Sequence, residues 1–199
     1  MPEKQILRCD DAATWARWLA GNHATADAVW LTIVKKGATH PGPTYAEALD
    51  EALCFGWIDS QKAALDADFS LQRFGRRGPR SIWSKRNQEH VSRLIDEGRM
   101  RPAGLAEIER AKANGRWETA YAGQASIEVP ADLAAALAAR PAASAFFDTL
   151  NGTNRFAILF RLGNVVRAET RARKITEYVA MLERGETLHP QPASRAPRP

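Results

Sequence analysis

The stretch Glu51–Gln61, EALCFGWIDSQ, confines this chain more than any other. A helical pattern reaches Phe55, a glycine follows, and Trp57, Ile58 and Asp59 resume as an extended segment. A turn that abrupt wants a residue without a side chain, so Gly56 is read as the bend between a helix and a strand. The helix behind it begins at Thr44, whose hydroxyl and Glu47 have capping-box spacing, and it turns Leu49, Ala52 and Leu53 inward. Beyond Gly56, WIDSQKAA and FSLQRFG flank LDAD, a turn composition, and so predict a β-hairpin. The β-branched and aromatic run AVWLTIVKKG predicts a third, well-buried strand.

Helical patterns surround these strands. DDAATWARWLAG predicts a helix capped by Asp10 or Asp11, with Trp15, Trp18 and Leu19 on one face and Gly21 as its stop. Ser84 caps a helix with Val91, Leu94 and Ile95 inward and Gly98 at its end. Pro102 starts another with Leu105 and Ile108 inward, ending at Gly115. The expected class is α+β: a small antiparallel sheet with flanking helices over residues 1–118, then a linker over 119–130. A helical module follows over 131–187, with Ile175, Tyr178, Val179 and Leu182 as the stripe of its last helix, and the Pro-rich end from 188 to 199 is expected to be disordered.

Several classes of function are disfavoured. No run of about 18 apolar residues exists to span a membrane. The opening MPEKQILRCDD lacks the basic flank and apolar stretch of a secretory signal, so the cytoplasm is the expected compartment. The two cysteines, Cys9 and Cys54, form no CxxC pair and read as free thiols. The histidines, His23, His40, His90 and His189, lack metal-ligand spacing, and no phosphate-loop, dinucleotide or nucleophile-elbow motif is present, so neither a metal nor a cofactor is expected.

Charge is uneven. Residues 69–116 carry 12 basic and 5 acidic side chains, a net of +7, within a chain whose net is +5. The densest part is RFGRRGPRSIWSKRN, where Arg73, Arg76, Arg77 and Arg80 lead into a helix start at Ser84 beside Ser81, Trp83 and Asn87. Guanidinium forks, the amide end of a helix and an indole ring together suit a small anion. Trp57 and Asp59 open the partner strand, where Asp59 is expected to pair with Arg73 or orient a neighbouring guanidinium. These ten residues form the candidate ligand site. The plainer account of the same segment is a solvated basic loop with Trp83 plugging the core and Ser84 serving only as a cap.

The combination DEALCFGWIDS, RF followed by RR and SIWSKRN, then GRMRPAG and ETRARKITEYVAMLERG resembles the YdeI/OmpD-associated family, also labelled bacteriocin-protection proteins. The resemblance extends over nearly the whole chain. It implies an association with resistance to bacteriocins or antimicrobial stress and with the envelope, and it brings no established catalytic residues. The function expected from the residues is binding of a small anionic ligand. A nucleic-acid-binding accessory role drawing on the same arginines is the alternative, and a hydrolase using Asp59, Ser81 or Ser84 ranks behind it. Phe146, Phe147, Phe156 and Phe160 in the C-terminal helices are a candidate surface for a protein partner.

Overall fold

The computed structural model describes residues 5–123 and 126–192. The chain forms two compact units, residues 1–120 and 121–199. Among the described residues the first unit contains β1 (Ile6–Leu7), α1 (Ala12–Asn22), β2 (Ala28–Val34), α2 (Tyr45–Cys54), β3 (Trp57–Ala64), β4 (Phe69–Arg76), α3 (Lys85–Asp96) and α4 (Pro102–Ala113). The second contains α5 (Ala131–Ala138), α6 (Pro141–Asp148), α7 (Gly152–Gly163) and α8 (Ala168–Glu183). The α+β class and the helical C-terminal part are as the sequence predicts.

The sheet runs β1-β2-β4-β3. Its three long strands are antiparallel, with Trp30 opposite Arg73 and Trp57 opposite Arg76. The short β1 adds a parallel edge to β2, which makes the sheet mixed. The β3–β4 hairpin closes where Asp66 accepts from the amides of Asp68 and Phe69, at 2.9 and 2.8 Å, so the LDAD aspartate does the turning. A register shift between Asp59 and Lys62 breaks the β3–β4 ladder.

Helix caps follow local chemistry closely. Asp11 accepts from the Thr14 amide at 2.6 Å, and Thr44 and Glu47 form the reciprocal capping box. Gly21 does not stop α1, which continues to Asn22; the residue lacks the positive φ of a helix-ending glycine. Two residues expected to face inward do not. Ile95 is 46% and Leu105 42% exposed, beside the buried Leu94 and Gly104. In α4 the buried stripe is Gly104, Ile108 and Ala111, and one residue beyond Gly104 is a 100° rotation towards solvent.

The core of the first unit gathers Trp15, Leu19, Leu31, Leu53, Trp57, Phe74 and Leu94. Trp15 joins α1 to α2 through its indole N–H on the Ala48 carbonyl, at 3.1 Å. Trp15 also stacks on Trp18 with ring centres 5.3 Å apart, and Trp57 meets both edge-on. Asp50 ties α2 to α3 by accepting from His90 at 2.8 Å and Arg93 at 2.7 Å.

In the second unit Leu133, Leu137, Phe147, Ile158, Leu162 and the expected α8 stripe make a separate core. Arg171 on α8 reaches both Asp132 carboxylate oxygens and the Leu162 carbonyl, linking α5, α7 and α8. The chain is held beyond α8, in the part expected to be disordered: fully buried Asn154 donates to the His189 carbonyl and to Gln191, and accepts from the His189 amide. Residues 193–199 of that expected tail, and positions 124 and 125 of the expected linker, lie outside the described residues. Of the four phenylalanines considered for a partner surface, Phe147 is buried and Phe146 packs against the core. Phe156 and Phe160 stack on one another, and Tyr121 meets Phe160 edge-on and Phe156 at a tilt, all three half-buried. No helix among the described residues is long and apolar enough to cross a membrane.

Candidate anion-binding groove

Gly56 makes the expected bend, with φ +74°. Around it the chain closes tightly. The Arg101 amide donates to the Cys54 carbonyl at 3.1 Å, so the start of α4 is fastened to the end of α2. A Cβ on Gly104 would lie 2.8 Å from the Leu53 carbonyl oxygen and 2.7 Å from the Met100 methyl. A Cβ on Gly56 would meet Glu107 Cγ at 2.8 Å and the Ala103 carbonyl at 2.9 Å. Backbone therefore meets backbone at this junction, and a concave surface opens beside it.

That surface is a groove of two lobes. One, of about 440 Å³, has Phe55 and Trp57 in its wall together with Arg76, Arg77, Arg110 and Glu107. The other, of about 550 Å³, lies along Ala16 and Ala20 of α1 and Pro102 of α4, with exposed Arg17 and Arg101 beside them. His23, Phe55 and Ala103 line both lobes.

Arg76 and Arg77 stand next to each other at the end of β4 and do different things. Arg76 is half-exposed; it pairs with the exposed Asp27 and donates to the Ala24 carbonyl at 3.2 Å. Arg77 is 5% exposed, donates to the Ile82 carbonyl and lies over the Trp83 ring. Arg110 uses Nη2 for Glu107 and for the carbonyls of Arg77 and Gly78. Burial pushes the Glu107 carboxyl above its ordinary range, against the pull of Arg110 and Arg77. The His23 ring nitrogen Nδ1 lies 2.8 Å from the Leu19 carbonyl, which can only accept, so Nδ1 carries the proton.

Of the ten residues expected to form the site, the fold brings Trp57, Arg76 and Arg77 to this groove. Trp57 contributes a buried wall, its indole N–H held by the His23 carbonyl at 3.1 Å. Asp59 does not meet Arg73: it accepts from the Tyr45 hydroxyl at 2.9 Å, while Arg73 reaches Ser60 at 3.4 Å. Asp59 stands opposite Phe74 in the register, one position from Arg73, which puts the two side chains on opposite faces of the sheet. Trp83 is 3% exposed, against Arg77 and Trp117, and no stacking face is offered to solvent. Ser84 caps α3 by accepting from the Asn87 amide, and Ser81 accepts from the Gly78 amide. Arg80 is exposed, and its carbonyl accepts from Arg116.

His23, Phe55, Ala103, Glu107 and Arg110 escape the sequence reading. Their one local signal is the i, i+3 pair of Glu107 and Arg110 on α4. Nothing local says that α4 folds against the Gly56 bend.

The two cysteines are both buried, and burial pushes each thiol up to about 11, which leaves them protonated and poor nucleophiles. Among the described residues no group of three or more His, Cys, Asp or Glu side chains is placed to hold a metal ion.

Fold and groove define a chain of two domains, an α+β domain with a basic groove and a small helical one. The chain belongs to the family described as Domain of unknown function (DUF8412), whose model matches residues 7–107, just over half of its length. Residues 126–185 match the model described as Bacteriocin-protection, YdeI or OmpD-Associated, so the helical C-terminal part is similar to that family. That match covers the motif ETRARKITEYVAMLERG, whereas DEALCFGWIDS and SIWSKRN fall in the part matched by the other family. No curated protein and no solved structure matches the chain.

Proposed function

We propose that the N-terminal unit binds a small anionic ligand in the groove beside Gly56. The observation that carries this reading is the concentration of Arg76, Arg77 and Arg110 on one 440 Å³ concavity with a single carboxylate, Glu107, among its lining residues. Three guanidinium groups against one carboxylate leave the lobe electropositive, and its aromatic wall lowers the local dielectric and strengthens attraction for a negative group. Arg76 is the adaptable member. Its partner Asp27 is 89% exposed, and an ion pair in water holds weakly enough to give way to a ligand.

A nucleic-acid role gains no support from Trp83, which is buried and offers no face on which a base could stack. A hydrolytic role gains none from Asp59, which accepts from Tyr45 of α2, or from Ser81 and Ser84, each engaged in a local hydrogen bond.

Calorimetric titration at low salt with inorganic phosphate, phenyl phosphate and benzoate tests the reading. Saturable binding that weakens in Arg76→Gln, and further in Arg76→Gln/Arg110→Gln, is expected. Absence of binding by every anion tried, with the protein folded, overturns it.

A further inference from the structure

We propose that the occupant of this groove is an amphiphilic carboxylate, its head in the arginine lobe and an apolar acyl or aryl body in the lobe along α1. This rests on the anion-binding reading above and adds the class of ligand.

The two lobes share three wall residues, His23, Phe55 and Ala103, so one molecule can enter both. They differ in chemistry. Arg76, Arg77, Arg110 and Glu107 line one; the other is lined by Ala16, Ala20, Phe55, Pro102 and Ala103, a mostly apolar wall, with the exposed Arg17 and Arg101 also bordering it. A cavity of about 150 Å³ is enough for benzene. The apolar lobe, at about 550 Å³, therefore has room for an extended chain or a substituted ring. A purely polar anion would leave that lobe to water and forgo the gain from burying hydrocarbon against Phe55.

The head is a carboxylate because of what Arg110 and Glu107 do together. Glu107 already neutralises part of the lobe, so a doubly charged phosphate meets a carboxylate as well as the arginines. With Glu107 on Arg110 and Asp27 on Arg76, the three guanidinium groups keep one net positive charge, which a single planar negative group matches while its two oxygens suit a guanidinium fork. Arg110 spends Nη2 on protein groups, and its Nε and Nη1 make no hydrogen bond among the described residues. Arg76 stands in the same lobe with a partner that water already weakens. His23, at the junction, fixes its ring through Nδ1 to Leu19 and lies against Phe55 with ring centres 5.3 Å apart. The passage between lobes is thus walled by two rings, a surface on which an apolar body can lie.

The probes are octanoate, acetate, octylamine and octyl phosphate, each titrated below its micelle concentration into the full chain. Octanoate is expected to bind about tenfold or more tighter than acetate, since burial of several methylenes adds to the same head-group contact. Octyl phosphate should bind more weakly than octanoate, and octylamine should not bind. Ala20→Trp fills the apolar lobe from an exposed position on α1, so the fold tolerates it, as circular dichroism will show. It should bring octanoate down to the affinity of acetate and leave acetate unchanged, whereas Arg76→Gln should weaken both. Equal binding of octanoate and acetate, or octanoate binding that ignores Ala20→Trp, overturns the amphiphile and leaves the anion site standing. Octyl phosphate tighter than octanoate overturns the carboxylate head. Failure of every anion overturns both this inference and the reading beneath it.

Discussion

The Arg77 guanidinium carbon sits 3.7 Å from the centre of the Trp83 ring, and both residues are nearly inaccessible to water. A buried cation on an indole face, with Nη1 on the Ile82 carbonyl, is a structural joint between β4 and the approach to α3. Arg77→Ala is expected to cost about 2–4 kcal/mol. Arg77→Lys should recover only part, because an ammonium cannot reproduce the planar contact. Urea denaturation of the two variants measures this, and equal stability of all three proteins would refute it.

Two glycine-to-alanine substitutions should move stability in opposite directions. Gly21 lies within α1 with nothing within 4 Å of an added Cβ, so Gly21→Ala should stabilise by about 0.5–1 kcal/mol. Gly104 has backbone oxygens of α2 where its Cβ would go, so Gly104→Ala should destabilise by about 1–3 kcal/mol. Thermal melts of both variants decide it.

Asp50 sets an acid limit for the α2–α3 contact. Burial pushes its carboxyl up, but hydrogen bonds from Arg93 and His90 outweigh that, and the net direction is downward. A carboxyl depressed in the folded state contributes stability above its unfolded value, about 3.9, and loses it as pH falls through the lower folded value. Asp50→Asn should therefore cost about 2 kcal/mol at neutral pH. The gap from the parent protein should hold down to about pH 5 and close below about pH 4. Denaturation at a series of pH values reads the closure directly.

Cys9 and Cys54 should ignore thiol reagents while the protein is folded. With thiols pushed up to about 11, roughly one in a thousand is ionised at pH 8, and both are also out of reach. A disulfide reagent should label neither under native conditions and both in denaturant.

In the second unit, Asn154→Ala should release the segment after α8. The loss of its bonds to His189 and Gln191 leaves a hole in a fully buried polar position, at about 2–3 kcal/mol. Limited proteolysis should then cut near residues 186–192 faster than in the parent chain.

The local grammar of this chain is readable without coordinates, and the groove is not. Asp11, Thr44 and Ser84 cap the helices their neighbours predict, Gly56 bends where a helical period turns extended, and Asp66 turns the hairpin. Each is decided within a few residues. Periodicity errs where a neighbour overrides it, as at Leu105, displaced outward by the close seat of Gly104. Charge density points to the arginine run but not to what each side chain does: both Arg76 and Arg77 border the lobe, yet Arg77 is buried against Trp83 while Arg76 is half-exposed and pairs with Asp27. Glu107 and Arg110 complete that lobe from about thirty residues downstream, a pairing that only the packing of α4 creates.

Because its walls come from α1, the Gly56 bend, the end of β4 and α4, the groove exists only once the chain has closed its long loops. Occupancy is then coupled to global rather than local opening, and any molecule that settles there raises the melting temperature of the whole N-terminal unit. A fragment ending before residue 101 lacks one bank of the channel altogether.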